Sequence, residues 1–180
     1  MTAYSFTTIW YVAAPVEAVW EVLVAGERYP EWWPYVAEVV TVDPGDATGL
    51  GARQRQTWRT ALPYALAFET RATRVERPHW LEVAASGGLV GSGRWALTAE
   101  GPMTRVRYDW EVGTTAAWMN LLAPLARPFF AWNHRVVMEA GGAGLVRRLD
   151  THLARPSVHR VNGLSAAGVT GDPNPPGFWV

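Results

Sequence analysis

The sequence has no cysteine and no lysine, and all sixteen of its basic residues are arginine. Without cysteine there are no disulfides, no thiolate nucleophiles and no cysteine-ligated metals. Without lysine there is no Schiff-base chemistry, no pyridoxal phosphate anchor and no phosphate-binding loop of the kind that uses a lysine. These absences exclude several large classes of cofactor enzyme.

Net charge and long apolar runs are also absent. Sixteen acidic residues balance the sixteen arginines, so no overall field draws the protein to nucleic acid or to an anionic membrane surface. No uninterrupted apolar segment approaches about eighteen residues, and no basic region precedes an apolar run at the N-terminus. We therefore expect a cytoplasmic protein with no nucleic-acid partner and no integral membrane contact.

Histidine is scarce and does not show metal-ligand spacing. No two histidines have the His-x-x-x-His spacing that zinc sites use on a helix. Glu76 and His79 have Glu-x-x-His spacing, but Pro78 between them disfavours the helix that would place both on one face. We therefore expect no metal site and no cofactor. The four histidines are His79, His134, His152 and His159.

Tryptophan, in contrast, is abundant, with eleven residues in a chain that is 49% hydrophobic. Aromatic rings are costly to expose, so many of them must line a core or a pocket. A chain of 180 residues buries one proper core. We predict a single domain over residues 1–153. Residues 154–180 are rich in proline and glycine without periodicity, which predicts a flexible tail.

The stretch from 118 to 153 has the periodicity of a helix, because its apolar residues recur at three- and four-residue steps. A proline suits a first helical turn or a kink, so we predict a regular helix from Pro128 to Asp150. Glycines 141, 142 and 144 weaken this helix, which indicates close approach to the sheet or a bend. One apolar stripe is Leu122, Leu125, Phe129, Trp132, Val136 and Ala140, and a neighbouring one is Met138, Leu145 and Leu149.

From Gly51 onward the period becomes two, which is typical of strands with one wet face. Arg105, Arg107, Asp109 and Glu111 share one face of the last predicted strand, and apolar residues share the other. We predict a strand, two short helices, six more strands and the long helix. An antiparallel sheet curved around that helix, in an α+β fold, buries both apolar faces.

The first short helix is predicted to follow Pro15, which suits a first helical turn. Its apolar positions are Val16, Val19, Trp20 and Leu23. A tight aromatic segment follows, and we interpret it either as a gate to a cavity or as a hydrophobic clasp, centred on Trp32 and Trp33.

Three pieces of sequence together resemble the START-like, Bet v 1-type helix-grip superfamily, in the branch named for polyketide cyclases and dehydrases. They are APVEAVW at 14–20, YPEWWP at 29–34 and, in the last helix, Trp132, Asn133, His134, Met138, Gly141, Gly144 and Leu145. The resemblance covers roughly residues 4–153, and its third piece is suggestive of a bacterial subgroup. It implies a seven-stranded antiparallel sheet wrapped around the C-terminal helix, with an internal cavity. Relatives carry or transform hydrophobic small molecules such as lipids and aromatic polyketides, and one fold hosts both activities.

The ligand-binding candidates lie on the uncharged side of the predicted sheet and on the long helix. They form an aromatic wall with a few neutral polar groups, and plain core packing is the alternative interpretation. The polar groups either bond one another or orient a ligand. The candidates are Gln54, Gln56, Trp58, Phe68, Thr70, Trp95, Tyr108, Trp110, Phe129 and Asn133.

Catalytic candidates are weaker and comprise Tyr108 and His134 only. His134 titrates near neutrality, but no carboxylate on its own helix face orients it, which favours a structural role. Our first hypothesis is therefore a protein that binds a small hydrophobic, ring-containing or lipid-like molecule. The alternative is a polyketide aromatase, cyclase or dehydrase acting in the same cavity. A partner protein acting through its surface is a third class, and the oligomeric state, monomer or homodimer, is left open.

Overall fold

The computed structural model describes residues 3–59, 65–114 and 123–153. The predicted order of elements is confirmed, with a 3-10 turn at Gly26–Arg28 between the first two helices. The strands are β1 (Ala3–Val12), β2 (Val36–Asp43), β3 (Arg53–Arg59), β4 (Ala65–Glu76), β5 (Trp80–Gly87), β6 (Leu89–Glu100) and β7 (Met103–Thr114). The helices are α1 (Val16–Val24), α2 (Tyr29–Trp32) and α3 (Ala123–Leu153).

The seven strands form one antiparallel sheet in the order β1-β7-β6-β5-β4-β3-β2. Strands β1 and β2 are its two edges. The register places Phe6 opposite Trp110 and Thr8 opposite Tyr108. Residues directly opposite each other point to the same side of a sheet, so these four side chains share the inner face. The fold is the predicted helix-grip α+β arrangement.

Charge decides which face of the sheet is outside. Arg94 pairs with Glu111 at 2.6 Å, and Arg107 pairs with Asp109 at 2.9 Å, on the outer face. The predicted wet face is thus confirmed. Such surface pairs contribute about 0–1 kcal/mol each, so their main role is to keep this face in water.

Helix α1 follows Pro15 as predicted. Its four predicted apolar positions, Val16, Val19, Trp20 and Leu23, are all buried. Glu17 lies in its first turn, where the helix dipole favours a negative charge. The helix therefore closes one end of the domain with a fully apolar inner face.

Helix α3 is longer than predicted, and its rotation about its axis turns the first predicted apolar stripe away from the sheet. It begins at Ala123, and Pro128 lies inside it. Phe129 is 59% exposed and Trp132 42% exposed, so placing that stripe inward was wrong. Leu122 and the side chain of Leu125 lie outside the described residues, as does the predicted tail at 154–180. The side chains of α3 that are buried are Asn133, Val137, Met138, Leu145 and Leu149.

The glycines of α3 permit close approach on two sides, with Gly142 against Trp10 of the sheet, as predicted, and Gly141 and Gly144 against the α2 corner. Trp33 is 1% exposed, and its Nε1 donates a hydrogen bond to the Val137 carbonyl oxygen at 2.8 Å. A Cβ on Gly141 would overlap the Trp33 indole, and a Cβ on Gly144 would overlap the Trp32 carbonyl oxygen. The absence of these two side chains lets α3 pack directly on the Trp32–Trp33 corner.

We predict that Gly144→Ala destabilises the protein. Helix propensity alone would favour alanine by about 1 kcal/mol. The new methyl would overlap a backbone oxygen that cannot rotate away, and overpacking of this kind costs about 1–3 kcal/mol. Urea unfolding should therefore show a lower midpoint than wild type.

The matched control is Ala131→Gly, at an exposed position of the same helix. The free energy of unfolding of this control should fall only by the difference in helix propensity, about 1 kcal/mol. A Gly144→Ala protein more stable than wild type would contradict the close packing of α3 on the Trp32 carbonyl.

Candidate ligand cavity

A cavity of about 540 Å³ lies between the inner face of the sheet and α3. Its size falls within the range of about 300–1,000 Å³ that is usual for small-molecule sites. Strand residues centred on Phe68, Leu89, Trp110 and Val112 pack among themselves as a cluster that includes no described side chain of α3. Phe68, Leu89, Trp110 and Val112 line the cavity from the sheet side, and Asn133, Val137 and Met138 line it from α3.

Five aromatic side chains form a continuous row, which we call the aromatic wall. They are Trp58, Phe68, Trp95, Tyr108 and Trp110. The Trp95 and Tyr108 ring centroids are 4.0 Å apart at 23°, and those of Tyr108 and Trp110 are 5.8 Å apart at 22°. Phe68 continues the row toward Trp58, at 6.0 Å from Trp110 and 6.5 Å from Trp58. Cross-strand pairing produces this row, because Trp95 on β6 lies opposite Tyr108 on β7.

Two predicted polar candidates, Gln56 and Thr70, form a chain of hydrogen bonds with Trp58 of the wall. Trp58 Nε1 donates to Gln56 Oε1 at 2.8 Å, and Gln56 Nε2 donates to Thr70 Oγ1 at 3.1 Å. Gln56 and Thr70 are both buried. The chain of hydrogen bonds explains how two polar side chains are accommodated in an apolar face, and it holds the Trp58 indole in place.

His134 projects from α3 toward β1. Its ring stacks on Phe6 with centroids 4.2 Å apart, and its Nε2 lies 3.4 Å from Thr8 Oγ1, near the outer limit of a hydrogen bond. Burial lowers the pKa of His134 from 6.5 to about 4, so the imidazole is neutral at pH 7. The contact with β1 agrees with the structural role predicted for this residue.

Tyr108 lies in the middle of the wall. Burial, with a smaller contribution from Tyr29, raises the pKa of Tyr108 well above its ordinary value of 10. Its phenol is therefore protonated at neutral pH. Among the residues that the structure describes, the buried hydroxyl of Tyr4, which also lines the cavity, has no hydrogen-bond partner.

Nine of the ten predicted ligand-binding residues line the cavity, and both catalytic candidates line it too. Phe129 is the exception, because the rotation of α3 turns it to the outside. Asn133, one turn further along, is buried and lines the cavity. The nine are Gln54, Gln56, Trp58, Phe68, Thr70, Trp95, Tyr108, Trp110 and Asn133.

Sequence reasoning missed the contribution of β1 and of the loop at residues 44–52. Tyr4 and Phe6 line the cavity, as does Phe130 on α3. The alternation Tyr4, Phe6, Thr8 along β1 is a signal that identifies its inner face. The loop offered no such signal. Thr48 reaches the cavity through a turn, in which the Asp46 carboxylate accepts hydrogen bonds from the backbone and side chain of Thr48.

The cavity interior is nearly uncharged. Among the described lining residues there is no aspartate or glutamate, and the arginines are Arg59 and Arg77. Arg77 forms an ion pair with Glu21 on α1. Within the same described ranges no cluster of three potential metal ligands is found, and no helix has the length and hydropathy needed to cross a membrane.

Comparisons with solved structures match the whole fold at low sequence identity. The Zhui aromatase/cyclase from Streptomyces sp. R1128 is 17% identical, with a TM-score of 0.71 over 87% of this chain and 99% of that one. A START superfamily protein from Mycobacterium smegmatis is 16% identical, with a TM-score of 0.66 over 83% and 98% of the two chains. The di-domain ARO/CYC BexL from the BE-7585A biosynthetic pathway is 20% identical, with a TM-score of 0.65 over 82% of this chain and 50% of its own.

No curated protein sequence matches the chain. At the level of family models, residues 4–155 match the model described as polyketide cyclase / dehydrase and lipid transport. That match spans most of the 180 residues and includes every strand and helix described above. The chain therefore belongs to the polyketide cyclase / dehydrase and lipid transport family.

Proposed function

We propose that this protein binds a small, hydrophobic, ring-containing molecule in the cavity between the sheet and α3. The observation that carries the proposal is the aromatic wall bordering a 540 Å³ space. Neighbouring rings in the wall stack on one another, so the row presents apolar ring edges, and a ring-containing guest can meet such edges in the favourable edge-to-face geometry.

An unpaired polar atom in the cavity lining indicates what the guest carries. The hydroxyl of Tyr4 is a donor without a partner in the described structure, and an unsatisfied buried hydroxyl costs about 1–3 kcal/mol. A carbonyl or hydroxyl oxygen on the ligand would accept from such a donor. With no carboxylate in the described lining, the ligand proposed is a neutral ring system bearing oxygen.

The alternative function, aromatisation or cyclisation of a polyketide, is the activity named for two of the structural neighbours. It requires a group that moves protons. Tyr108 holds its proton tightly, and His134 is a weak base because burial lowers its pKa to about 4. No carboxylate contact orients the imidazole, whose described neighbours are Phe6 and Thr8. These features support binding over catalysis.

Titration with flat, neutral fused-ring compounds should quench tryptophan fluorescence saturably, because Trp58, Trp95 and Trp110 border the cavity. Phe68→Ala removes one ring of the wall and should raise Kd about tenfold or more, since a stacked aromatic contact is worth about 0.5–1.5 kcal/mol beyond its buried area. Tyr11→Ala is the matched control, because Tyr11 is an exposed aromatic on the outer face.

The Tyr11→Ala protein should bind as tightly as wild type. If no fused-ring compound binds saturably to wild type, the proposed function fails. Equal loss of affinity in both variants would show that the effect does not arise at the wall.

Incubation with a ring-forming polyketide substrate should return it unchanged, as measured by mass spectrometry and ultraviolet absorbance. The reason is that the candidate proton carriers are both held neutral by burial. Cyclised product from wild type that disappears in both Tyr108→Phe and His134→Ala, with the fold intact by circular dichroism, would replace our proposal with the alternative.

The neutral state of His134 also predicts a pH dependence of stability. The unfolded chain takes up this proton near pH 6.5, whereas the folded protein takes it up only near pH 4. Stability is therefore lost as pH falls from 6.5 toward 4, by about 2–3 kcal/mol between pH 7 and 4.5 through this group. His134→Phe keeps a ring against Phe6 and should lack that share of the loss in urea unfolding.

Comparing wild type with His134→Phe at the same pH cancels the contribution to stability of the carboxylates that also titrate in this range. An identical loss of stability in wild type and His134→Phe would mean that His134 is not held neutral by the fold.

A further inference from the structure

Helix α3 carries a second apolar seam on its outer side, in addition to the face that covers the cavity. Phe129 and Trp132 are its most exposed apolar residues, and Val146 is also exposed near the other end. The outer face of a helix that covers a sheet is ordinarily polar, because it faces water. The outer seam of α3 consists of Phe129, Trp132, Val136, Glu139, Ala143 and Val146.

The spacing of the outer seam is that of a helix that packs against another helix. Its positions follow steps of three, four, three, four and three residues, which keeps a narrow stripe aligned along one side. At about 100° per residue the stripe lies roughly opposite Val137, Gly141 and Gly144, which are buried. The seam extends over about 26 Å at about 1.5 Å per residue. It therefore offers a straight packing surface on the side away from the cavity, and Phe129, Trp132 and Val146 on it are exposed.

We propose that the outer seam binds the same seam of a second copy of this chain, with the two α3 helices antiparallel. Large residues occupy one end of the seam and small ones the other. An antiparallel pair sets Trp132 of one copy against Ala143 of the other and Phe129 against Val146, so bulky rings meet small side chains. A parallel pair would place ring against ring along one half and leave gaps along the other.

Charge fixes the register of this pair. Arg135 and Glu139 lie on the same flank of α3, both exposed, with Arg135 Nε 3.9 Å from Glu139 Oε1. In an antiparallel pair centred at the level of residue 137, each Arg135 comes beside the partner's Glu139, twice by symmetry. Glu139 is the charged residue of the outer seam. A charged residue inside an otherwise apolar seam selects one register, as polar residues do in coiled coils.

The test is the mass of the full-length protein in solution, measured by light scattering after gel filtration across a concentration series. We expect a species of twice 19.9 kDa. Trp132→Glu should raise the dimer dissociation constant about thirtyfold or more, since a tryptophan at the centre of an interface commonly contributes 2 kcal/mol or more. Ala131→Glu, at an exposed position of α3 off the seam, is the matched control and should remain dimeric.

Charge reversal tests the antiparallel register separately from the apolar contact. Arg135→Glu and Glu139→Arg should each weaken the dimer, and the double variant should restore it, because the exchange rebuilds both pairs between copies. Circular dichroism at each step checks that the monomers are folded.

A full-length protein of 19.9 kDa at every concentration would overturn the proposal. In that case, a dimer formed by the double variant Phe178→Ser, Trp179→Ser would mean that the aromatic pair at residues 178 and 179 of the same chain occupies the seam of the wild type. A wild-type dimer unaffected by Trp132→Glu would place the interface elsewhere and overturn it equally.

Discussion

The packing of α3 on the Trp32–Trp33 corner is the contact on which the rest of the structure depends. The Trp33 indole donates to the Val137 carbonyl oxygen in the middle of α3, and the missing side chains of Gly141 and Gly144 bring the helix against this corner. Met138, Leu145 and Leu149 then complete a solid core with α1 and α2. The helix is thereby fixed by its C-terminal half, and the strands beyond its reach pack on one another and leave the cavity between.

The inner face of the sheet was predictable because charge marks the outer one. Along β7, Arg105, Arg107, Asp109 and Glu111 alternate with uncharged residues, and a one-residue error in register would bury four charges. That contrast extends to β3 and β4, where arginines oppose the glutamines and Phe68. Nearly all of the candidate cavity residues come from these strands, so the aromatic wall followed from alternation alone.

The rotation of α3 was not predictable in the same way, because α3 is apolar on both sides. The stripe containing Phe129 and Trp132 has spacing as regular as the buried one, and spacing cannot say which stripe faces the sheet. The glycines held the missing information, since Gly141 and Gly144 share the buried side of the helix. In β1, Ile9 and Tyr11 are exposed on the outer face although they are apolar, so the alternation of Tyr4, Phe6 and Thr8 is a weaker signal for the inner face than the charges of β7.

Burial acts in opposite directions on Tyr108 and His134, two of the titratable side chains that line the cavity, and it makes both of them neutral. It raises the pKa of the Tyr108 phenol and lowers that of the His134 imidazole, because each charged form would lose its hydration. Moving a proton from Tyr108 to His134 would create two charges in an apolar space at a high cost. Neutral groups of this kind donate and accept hydrogen bonds well. Under the proposed function, a cavity built from them would select its guest by shape and by the position of an oxygen atom, and the burial that opposes proton transfer would strengthen those hydrogen bonds.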